Sequence, residues 1–571
     1  MREDIHEFDV AVIGGSIAGG ATALQLLRGR QGLKVLVVER QAEFGRRVGE
    51  STVELSTFFL TRVLGLTRHL NERHVVKQGF RYWFTNAEAS DMGACTEMGG
   101  RYLTRIGSYQ VDRVELDAEV LRRVESAGGE VWRPASVRSV ELEEGGTQRL
   151  TVRMDDGEER AVAARWVVDA SGRQAVVARQ RGEVEPIEGH PTAAVWARWK
   201  GTLDFDGAEL IERYPALGRG FFGTRHTATN HIVGDGWWAW VIPLKGGHTS
   251  VGVTWDQRLF RWPREQGGTL GEQLRAVLET HPTGRELLAD AELVESDVHV
   301  RRNLPYRCKT PIGDGFLLVG DAAGFIDPFY SMGLDYLAMT SISGTGVILA
   351  ERVAAAEAEP GLDAATMPNT AWRQQLERHR RIVDRSLPRW YEGIFRDKYV
   401  YMGDYELMRV AFLVDISLYY FGLVMPPYKR GRGTVCDGMF AVPAAWPFYV
   451  FMSWVNRRLA AIGASRRRRG TFGRRNAGRR MLVPGFAFDV SIPKGVVKAL
   501  GAMLWLELVE GWRCWRPRRA SDGSLDLVGL SGTPGATNGA APPNADALAK
   551  SDLSESVNST PTTPAPASAV G

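Results

Sequence analysis

Residues 9–39 read DVAVIGGSIAGGATALQLLRGRQGLKVLVVE. The apolar run Asp9–Gly14 is typical of a buried parallel strand, and Ile17–Leu27, rich in Ala and Leu, predicts a helix. A second apolar run, Lys34–Glu39, predicts another strand that ends in an acid. A strand, a glycine turn, a helix and a second strand together make one βαβ unit of the dinucleotide-binding, Rossmann type.

The turn of this unit predicts a site for a pyrophosphate. Gly14-Gly15-Ser16-Ile17-Ala18-Gly19 fits the pattern GxGxxG at its first and last glycines, with Ser16 in place of the central one. Such a turn lets the backbone approach the phosphates and aims a helix N-terminus at their charge. Glu39 can accept hydrogen bonds from a ribose 2′-OH. The fingerprint does not choose between NAD and FAD. The predicted cofactor-binding residues of this region are Gly14, Gly15, Ser16, Ala18, Gly19, Glu39, Arg40 and Arg47.

The composition is that of a globular protein of two or three domains: 571 residues, 44% hydrophobic and 24% charged, with a net charge of +4. Four cysteines without a CxxC pair argue against a disulfide framework or zinc, so we expect no metal and a cytoplasmic location. The first ten residues show no apolar signal region. Residues 410–426, VAFLVDISLYYFGLVMP, predict either a buried helix or a helix on a membrane surface.

Two later segments choose FAD over NAD. Val167–Gly172 (VVDASG) and Gly320–Ala323 (GDAA) resemble the second and third FAD motifs of the para-hydroxybenzoate hydroxylase superfamily. The resemblance implies that Asp321 holds the ribityl chain and that Arg113, in YQVDR, lies beside the cofactor. The helix that follows Asp321 would direct its N-terminus at the flavin pyrimidine.

Three further segments are similar to the FAD-dependent halogenases that act on tryptophan and phenolic compounds. They are Gly49-Glu50-Ser51, the WAWVIP run Trp238–Pro243, and Lys77 in VVKQGFRYWF. The resemblance spans roughly residues 8–350 and implies that reduced flavin from a partner reductase, O2 and halide yield hypohalous acid. Lys77 would then be the catalytic lysine that passes halogen to an aromatic substrate, while Trp238 and Trp240 would separate flavin from substrate. Lysine suits this role when it is desolvated, because its neutral amine is then favoured.

The segment Asp327–Gly333 (DPFYSMG) departs from the DPxFSSG loop of those halogenases. The resemblance implies a halide site of backbone amides at Ser331, Met332 and Gly333, and Gly333 would also contact the cofactor. Met332 replaces a small residue, and its thioether could fill a halide-sized space.

Interpretations of these segments that do not involve halogenation stay open. Lys77 could be a solvated charge, and WAWVIP a core strand in any flavoprotein. The Gly-Glu-Ser segment also occurs in reductases of the geranylgeranyl reductase type. A flavin monooxygenase or a reductase of that type is therefore the alternative function.

These patterns divide the chain into an α/β flavoprotein with an added helical region. Residues 1–191 and 300–360 predict a three-layer, Rossmann-type FAD-binding domain. Residues 192–299 alternate in the manner of an inserted antiparallel substrate sheet. We expect a helical C-terminal region at 361–519 and a disordered tail at 520–571, which is rich in Ser, Thr, Pro and Ala.

The segment Arg466–Arg480 contains eight arginines and follows an aromatic stretch. The run could be a solvated face, or it could meet an acidic carrier protein, anionic lipid or nucleic acid. Nothing else in the chain supports nucleic acid, and we expect none. Contact with lipid would make the protein peripheral to a membrane, and a flavin-bound adaptor without redox activity is the hypothesis furthest from an enzyme.

Overall fold

The computed structural model describes residues 5–357, 370–437, 440–483 and 491–515, together with 517, 525 and 527. The predicted tail, 520–571, lies outside the described residues except for Leu525 and Leu527. The strands are β1 (Ile5–Ile13), β2 (Val35–Val38), β3 (Val75–Lys77), β4 (Phe80–Phe84), β5 (Thr96–Gly100), β6 (Ser108–Gln110), β7 (Glu130–Trp132), β8 (Ala135–Glu141), β9 (Gln148–Met154), β10 (Glu159–Asp169), β11 (Val184–Pro186), β12 (Thr192–Lys200), β13 (Thr229–Val233), β14 (Trp237–Pro243), β15 (His248–Asp256), β16 (Glu292–Leu293), β17 (His299–Arg301), β18 (Tyr306–Cys308), β19 (Ile312–Gly313), β20 (Phe316–Leu318), β21 (Gly324–Phe325) and β22 (Arg480–Val483). The helices are α1 (Ile17–Gly29), α2 (Glu54–Phe58), α3 (Thr67–Arg73), α4 (Arg113–Ser126), α5 (Val176–Gln180), α6 (Ala208–Arg213), α7 (Pro215–Gly218), α8 (Leu270–Glu279), α9 (Pro282–Leu288), α10 (Gly333–Glu357), α11 (Thr370–Trp390), α12 (Tyr405–Tyr419), α13 (Met425–Arg430), α14 (Trp446–Arg468) and α15 (Ser491–Val509).

The first sheet confirms the predicted α/β fold. Its order is β19-β20-β10-β1-β2-β7, and β9 and β8 extend it from β10 as an antiparallel meander. The central pairs β20–β10, β10–β1, β1–β2 and β2–β7 are parallel. Helix α1 packs against both α4 and α10, which forms the helical layer of the domain. The βαβ unit therefore lies at the centre of this sheet, with its glycine turn at the carboxyl end of β1.

The second sheet is wider than residues 192–299. Its order is β16-β12-β15-β14-β13-β4-β5-β22, with β17 also paired to β12. The pairs from β12 to β13 are antiparallel, as predicted, but β13–β4 and β5–β22 are parallel. The prediction missed β4, β5 and β22 because they come from segments far away in sequence.

Strand β14 joins two hydrophobic cores. Successive side chains of a strand point to opposite faces of the sheet. Trp237, Ala239 and Val241 pack into a core that the sheet shares with α8 and α9. Trp238, Trp240 and Ile242 belong to the larger core, which contains the FAD-domain helices. The WAWVIP segment is thus a core strand whose second face is turned towards the first domain.

The C-terminal region is helical, as predicted, and its most apolar helix is mostly buried. Within the described residues, Tyr405–Arg430 is the one helical stretch long and apolar enough to cross a membrane, yet 72% of its most apolar window lies inside the protein. Burial of that extent is typical of a core helix. The buried-helix interpretation of 410–426 is therefore the better one.

The arginine run Arg466–Arg480 is partly a solvated face: five of its eight arginines are exposed, whereas Arg466 is buried. Arg466 is fully buried and pairs with Asp404 at 2.8 Å and with Glu510 at 2.5 Å. Six of the eight arginines contact acidic side chains of this chain; they are Arg466, Arg467, Arg469, Arg474, Arg475 and Arg480. The sequence could not show this, because the acids that neutralise the run come from distant segments.

Candidate active site

A cavity of about 380 Å³ brings the predicted cofactor segments together. The glycine turn, the Gly-Glu-Ser segment, the GD motif, the DPFYSMG loop and β14 all contribute to its walls. The predicted cofactor residues that line it are Ser16, Ala18, Arg47, Arg113, Asp321 and Gly333. Residues that are separated by more than 300 positions in sequence thus converge on one site.

The turn after β1 has no room for side chains at two of its glycines. Gly14 has a φ of +96°, and a Cβ there would lie 2.8 Å from the carbonyl oxygen of Ala170. A Cβ at Gly19 would lie 1.8 Å from the carbonyl oxygen of Gly14. Ser16 caps α1 with a φ of −68°, a conformation that needs no glycine. The backbone is therefore held close to the cavity as a pyrophosphate site requires, and Ser16 is compatible with it.

Glu39 lies directly beneath this turn. Its Oε2 accepts the backbone N–H of Gly15 at 2.7 Å, and the side chain is buried at the end of β2. This is where a dinucleotide fold places the carboxylate that receives the ribose. Arg40 is exposed and does not line the cavity, so its cofactor role stays a prediction.

An ion-pair network fixes the cavity wall next to the start of α1. Arg113 donates from Nε and Nη2 to the two carboxylate oxygens of Asp117, at 3.1 and 3.0 Å. Asp117 also accepts the N–H of Ile17, the first residue of α1, at 3.1 Å. Arg47 lies 3.9 Å from the same carboxylate. Sequence reasoning missed Asp117, although its i, i+4 spacing from Arg113 on one helix was a usable signal.

Asp321 lines the cavity at the end of β20. Burial raises the pKa of its carboxyl group, while Arg173 and Arg113 act to lower it. Arg173, which also lines the cavity, is a second contact that the sequence did not suggest. The backbone cradle and the cations Arg47, Arg113 and Arg173 around this cavity fit an FAD molecule, while Glu39 lies beneath the turn and does not line the cavity.

The predicted partition lies where β14 faces this cavity. Trp238 and Trp240 both line it, with ring centroids 5.9 Å apart. Nε1 of Trp238 donates to the hydroxyl of Tyr399 at 2.8 Å, and Tyr399 donates to Asp327 at 3.0 Å. These bonds fix the orientation of the Trp238 indole. Tyr399 was not foreseen, because no motif marks the C-terminal region from which it comes.

Lys77 is buried behind the cavity wall. It is 1% exposed, and its Nζ donates to Ser51 Oγ and to the carbonyl oxygen of Thr52, both at 2.8 Å. Ser51 lines the cavity. On the other side, Nζ lies 3.9 Å from the centroid of the Phe80 ring. The interpretation of Lys77 as a solvated surface charge is therefore wrong.

Burial lowers the pKa of Lys77 to about 7, against the opposing effect of Glu54 and Asp335. Burial also raises the pKa of Asp335 to about 7 and raises that of Glu54. His231, which lines the cavity, has a pKa lowered to about 3 by burial and by the nearby Lys77. The amine is thus close to its titration point at neutral pH, and its imidazole neighbour carries no charge.

A small cavity of about 30 Å³, room for about one or two waters, lies beyond Phe80. Its walls are Val53, Phe80, Tyr330, Met332, Ile394, Asp415, Ile416 and Tyr419. Met332 thus lines this space and not the large cavity, whereas Ser331 and Gly333 line the large one. The thioether therefore does not occupy the flavin side of the DPFYSMG loop.

The DPFYSMG loop has the backbone of an anion site. Tyr330 and Ser331 have φ angles of 68° and 58°, which are unusual for residues with a side chain, and Met332 returns to φ −81°. A left-handed residue followed by a right-handed one turns successive N–H groups towards one point. Helix α10 begins at Gly333, and the N–H groups of Asp335 and Tyr336 already donate to the carbonyl oxygen of Met332. The Ser331 N–H donates to Pro328, so that amide is occupied, whereas those of Met332 and Gly333 donate to no carbonyl of the described residues. Both features suit a bound anion.

A second buried lysine, Lys398, lies beside Tyr330 of this loop, with its Nζ 4.9 Å from the Tyr330 ring centroid. Its Nζ donates to Asp415 Oδ2 at 2.7 Å, and the hydroxyl of Tyr330 donates to the same oxygen at 3.0 Å. Oδ1 of Asp415 receives no hydrogen bond from the described residues. Asp415, which lines the small cavity, therefore keeps one carboxylate oxygen without a hydrogen bond from the described residues.

Comparison with known proteins agrees with this site. A family model described as an FAD binding domain matches residues 7–379. The chain is 26% identical over 374 residues to the flavin-dependent halogenase chlA of Dictyostelium discoideum, covering 59% of each chain. It is 25% identical over 369 residues to the 1H-pyrrole-2-carbonyl-[peptidyl-carrier protein] chlorinase of Pseudomonas fluorescens, covering 60% of this chain and 76% of that one. The chain spans about three fifths of the length of several curated relatives that it matches.

Solved structures show the same fold. Halogenase PltM superposes with a TM-score of 0.67 at 17% identity, covering 87% of this chain and 96% of the other. The myxobacterial chondrochloren halogenase CndH gives a TM-score of 0.56 at 23% identity, covering 70% of this chain and 83% of that one. Because the family model covers more than half of its residues, this chain belongs to the family of proteins that carry this FAD binding domain.

Proposed function

We propose that this flavoprotein is a halogenase: it uses reduced flavin from a separate reductase, O2 and halide to halogenate an aromatic or similarly electron-rich small molecule. The names of its relatives support this, since they include flavin-dependent halogenases and a chlorinase whose substrate is bound to a carrier protein. The solved halogenase PltM has been captured with phloroglucinol and FAD, and it supports a ring substrate.

When bound, the flavin supplies the two-electron reduction of O2 that makes the halogen electrophilic. The residues of this chain would bind and orient it: the glycine turn and Glu39 would hold the adenosine end, and Arg113 and Asp321 would hold the middle and ribityl parts. The amides of Met332 and Gly333, together with the N-terminus of α10, provide the positive potential that a halide needs beside the flavin.

The observation that carries the proposal is the position of the buried Lys77 between a wall residue of one cavity and a wall residue of another, although Lys77 itself lines neither. Ser51, its hydrogen-bond acceptor, lines the flavin cavity, and Phe80, the ring beneath its Nζ, lines the small cavity. A monooxygenase that transfers oxygen directly has no need of an amine at this point. A group that receives hypohalous acid on one side and presents halogen on the other requires this arrangement.

The reaction expected of Lys77 is the formation of a haloamine from hypohalous acid, HOX. Its unprotonated nitrogen attacks the halogen of HOX, an N–X bond forms, and the O–X bond breaks. The departing hydroxide takes the ammonium proton, so the products are a haloamine and water. Protonated Lys77 can instead donate a hydrogen bond to HOX and hold it near the ring. A pKa of about 7 makes both forms available at neutral pH.

The small cavity is the proposed substrate side in a closed state. Its lining is aromatic and aliphatic apart from Asp415, whose free Oδ1 can accept a hydrogen bond from a ring hydroxyl or ring N–H. Withdrawal of that proton makes a ring more electron-rich and so more reactive towards electrophilic halogen. A ring needs more space than about 30 Å³, so Ile394, Ile416 and Tyr419 must move when it enters.

The test is a reaction of purified protein with FAD, a flavin reductase, O2 and a panel of phenols, pyrroles and indoles, in chloride and then in bromide. The proposal predicts products whose mass shift follows the halide. A gain of one oxygen irrespective of halide would instead identify a monooxygenase. Turnover with NADPH in the absence of the reductase would also contradict the proposal.

A further inference from the structure

Helix α15 exposes an apolar face. Apolar side chains recur at positions 497, 500, 504, 505 and 508, the spacing that places them along one side of a helix. Val497, Leu504, Trp505 and Leu508 are between 61% and 77% exposed. The face continues past the end of the helix into Trp512 and Trp515, which are 63% and 73% exposed. Contiguous apolar surface of this kind marks an interaction site.

The opposite face of α15 explains how the helix is held. Ala499, Met503 and Leu506 are buried, and α15 packs on α12. The two acidic residues at its C-terminal end are paired within the protein: Glu507 accepts from Arg458 at 2.6 Å, and Glu510 accepts from Arg466 at 2.5 Å. The acidic groups of this segment are therefore neutralised on the protein side.

The charges that remain exposed beside the apolar face are positive. Lys494 and Lys498 are exposed on the first turns of α15, and Arg513 is exposed between the two terminal tryptophans. The guanidinium carbon of Arg513 lies 5.1 Å from the Trp512 ring centroid. Apolar residues and tryptophans flanked by cations are the pattern of a helix that lies in the headgroup region of a membrane.

We propose that the α15 face, defined as Val497, Leu500, Leu504, Trp505, Leu508 and Trp512, docks on a bilayer that contains anionic lipid. The cations argue against a second copy as the occupant, because pairing this face with itself would bring like charges together. Anionic headgroups complement Lys494, Lys498 and Arg513, while the acyl boundary receives the apolar side chains. This surface is made of other residues than the Arg466–Arg480 run, in which six of the eight arginines pair with acidic side chains of this chain.

The test is flotation of the full chain with vesicles of phosphatidylcholine, with and without about one third phosphatidylglycerol, at low and high salt. We compare the wild type with Leu504→Glu/Leu508→Glu and with the charge variant Lys494→Glu/Lys498→Glu. The matched control is Phe222→Glu/Val353→Glu, because both residues are exposed and apolar but lie outside the α15 face. Flavin absorbance and the unfolding temperature check that each variant is folded.

The proposal predicts that the wild type and the matched control float with the anionic vesicles, and that both α15 variants bind at least about tenfold more weakly. Added salt should weaken the binding of the wild type. The proposal would be overturned if the wild type did not bind anionic vesicles, or if either α15 double variant bound them as the wild type does. A stable dimer in light scattering that Leu504→Glu/Leu508→Glu dissociates would also overturn it, since the face would then belong to a second copy.

Discussion

Nζ of Lys77 donates a hydrogen bond of 2.8 Å to Oγ of Ser51, and this bond links a buried amine to the wall of the flavin cavity. Ser51 also lies 3.0 Å from the hydroxyl of Thr229, another wall residue, so the contact is part of a small hydroxyl network. Lys77 itself does not line the flavin cavity, and the Ser51 hydroxyl connects its amine to the wall. The catalytic role proposed for Lys77 depends on this position of its amine.

The rate of halogenation should rise with pH around neutrality. Burial lowers the pKa of Lys77 to about 7, so the neutral amine grows from a minor to the main form as the pH rises from about 6 to about 8. If haloamine formation limits the rate, product formation in a single turnover rises about tenfold over this range. Flavin oxidation measured in the same samples is the control. A rate that falls about tenfold over the same range would indicate that the ammonium form acts by hydrogen bonding, and a rate without slope would contradict control by the titration of Lys77.

Replacement of Lys77 by Met should stabilise the protein near neutral pH. The pKa of this lysine is lower in the folded than in the unfolded chain, so the folded state binds fewer protons between about pH 7 and pH 10. The stability lost to burying this lysine is therefore greatest below pH 7 and is regained as the pH rises through that window. We expect Lys77→Met to unfold with a free energy roughly 2 kcal/mol higher at pH 7, with the difference shrinking towards pH 10.

Urea unfolding at several pH values measures this difference. The exposed Lys200 provides the control, since Lys200→Met should leave stability nearly unchanged at every pH. A Lys77→Met variant that is less stable than the wild type at pH 7 would mean that the hydrogen bonds of Lys77 outweigh its desolvation.

Gly19→Ala should abolish FAD binding. The added Cβ would lie 1.8 Å from the carbonyl oxygen of Gly14, so the turn must open and the phosphate cradle is lost. Gly107→Ala is a fair control, because nothing lies within 4 Å of a Cβ at that exposed position. Fluorescence titration with FAD should show a loss of at least about a hundredfold in affinity for Gly19→Ala, against little change for Gly107→Ala. Equal FAD affinities of Gly19→Ala and Gly107→Ala would mean that the turn is not part of the cofactor site.

Met332→Ser should alter substrate binding but not halide binding. The Met332 side chain lines the small cavity, while the proposed halide contacts are backbone amides that any residue supplies. Steady-state kinetics should show a chloride KM within about twofold of the wild type and an aromatic-substrate KM raised several-fold, since a hydroxyl replaces apolar lining. A large change in the chloride KM would place the thioether at the halide after all.

The sequence predicted those features that depend on local patterns. The βαβ unit, Glu39 beneath the turn and the α10 helix follow from residues close together in sequence. Tyr399, Asp415 and Lys398 were missed because only tertiary packing brings the C-terminal helices against the DPFYSMG loop. The same reason explains why the burial of Arg466 was not predicted: only the fold brings Asp404 and Glu510 to it.

The most direct test of the account is a comparison of Lys77→Ala with the wild type in the reductase-coupled assay, following flavin oxidation and halogenated product together. The account predicts that Lys77→Ala retains FAD, oxidises reduced flavin at a rate near that of the wild type, and loses at least about a hundredfold in halogenated product. A variant that binds and oxidises flavin normally and still halogenates at the wild-type rate would contradict it.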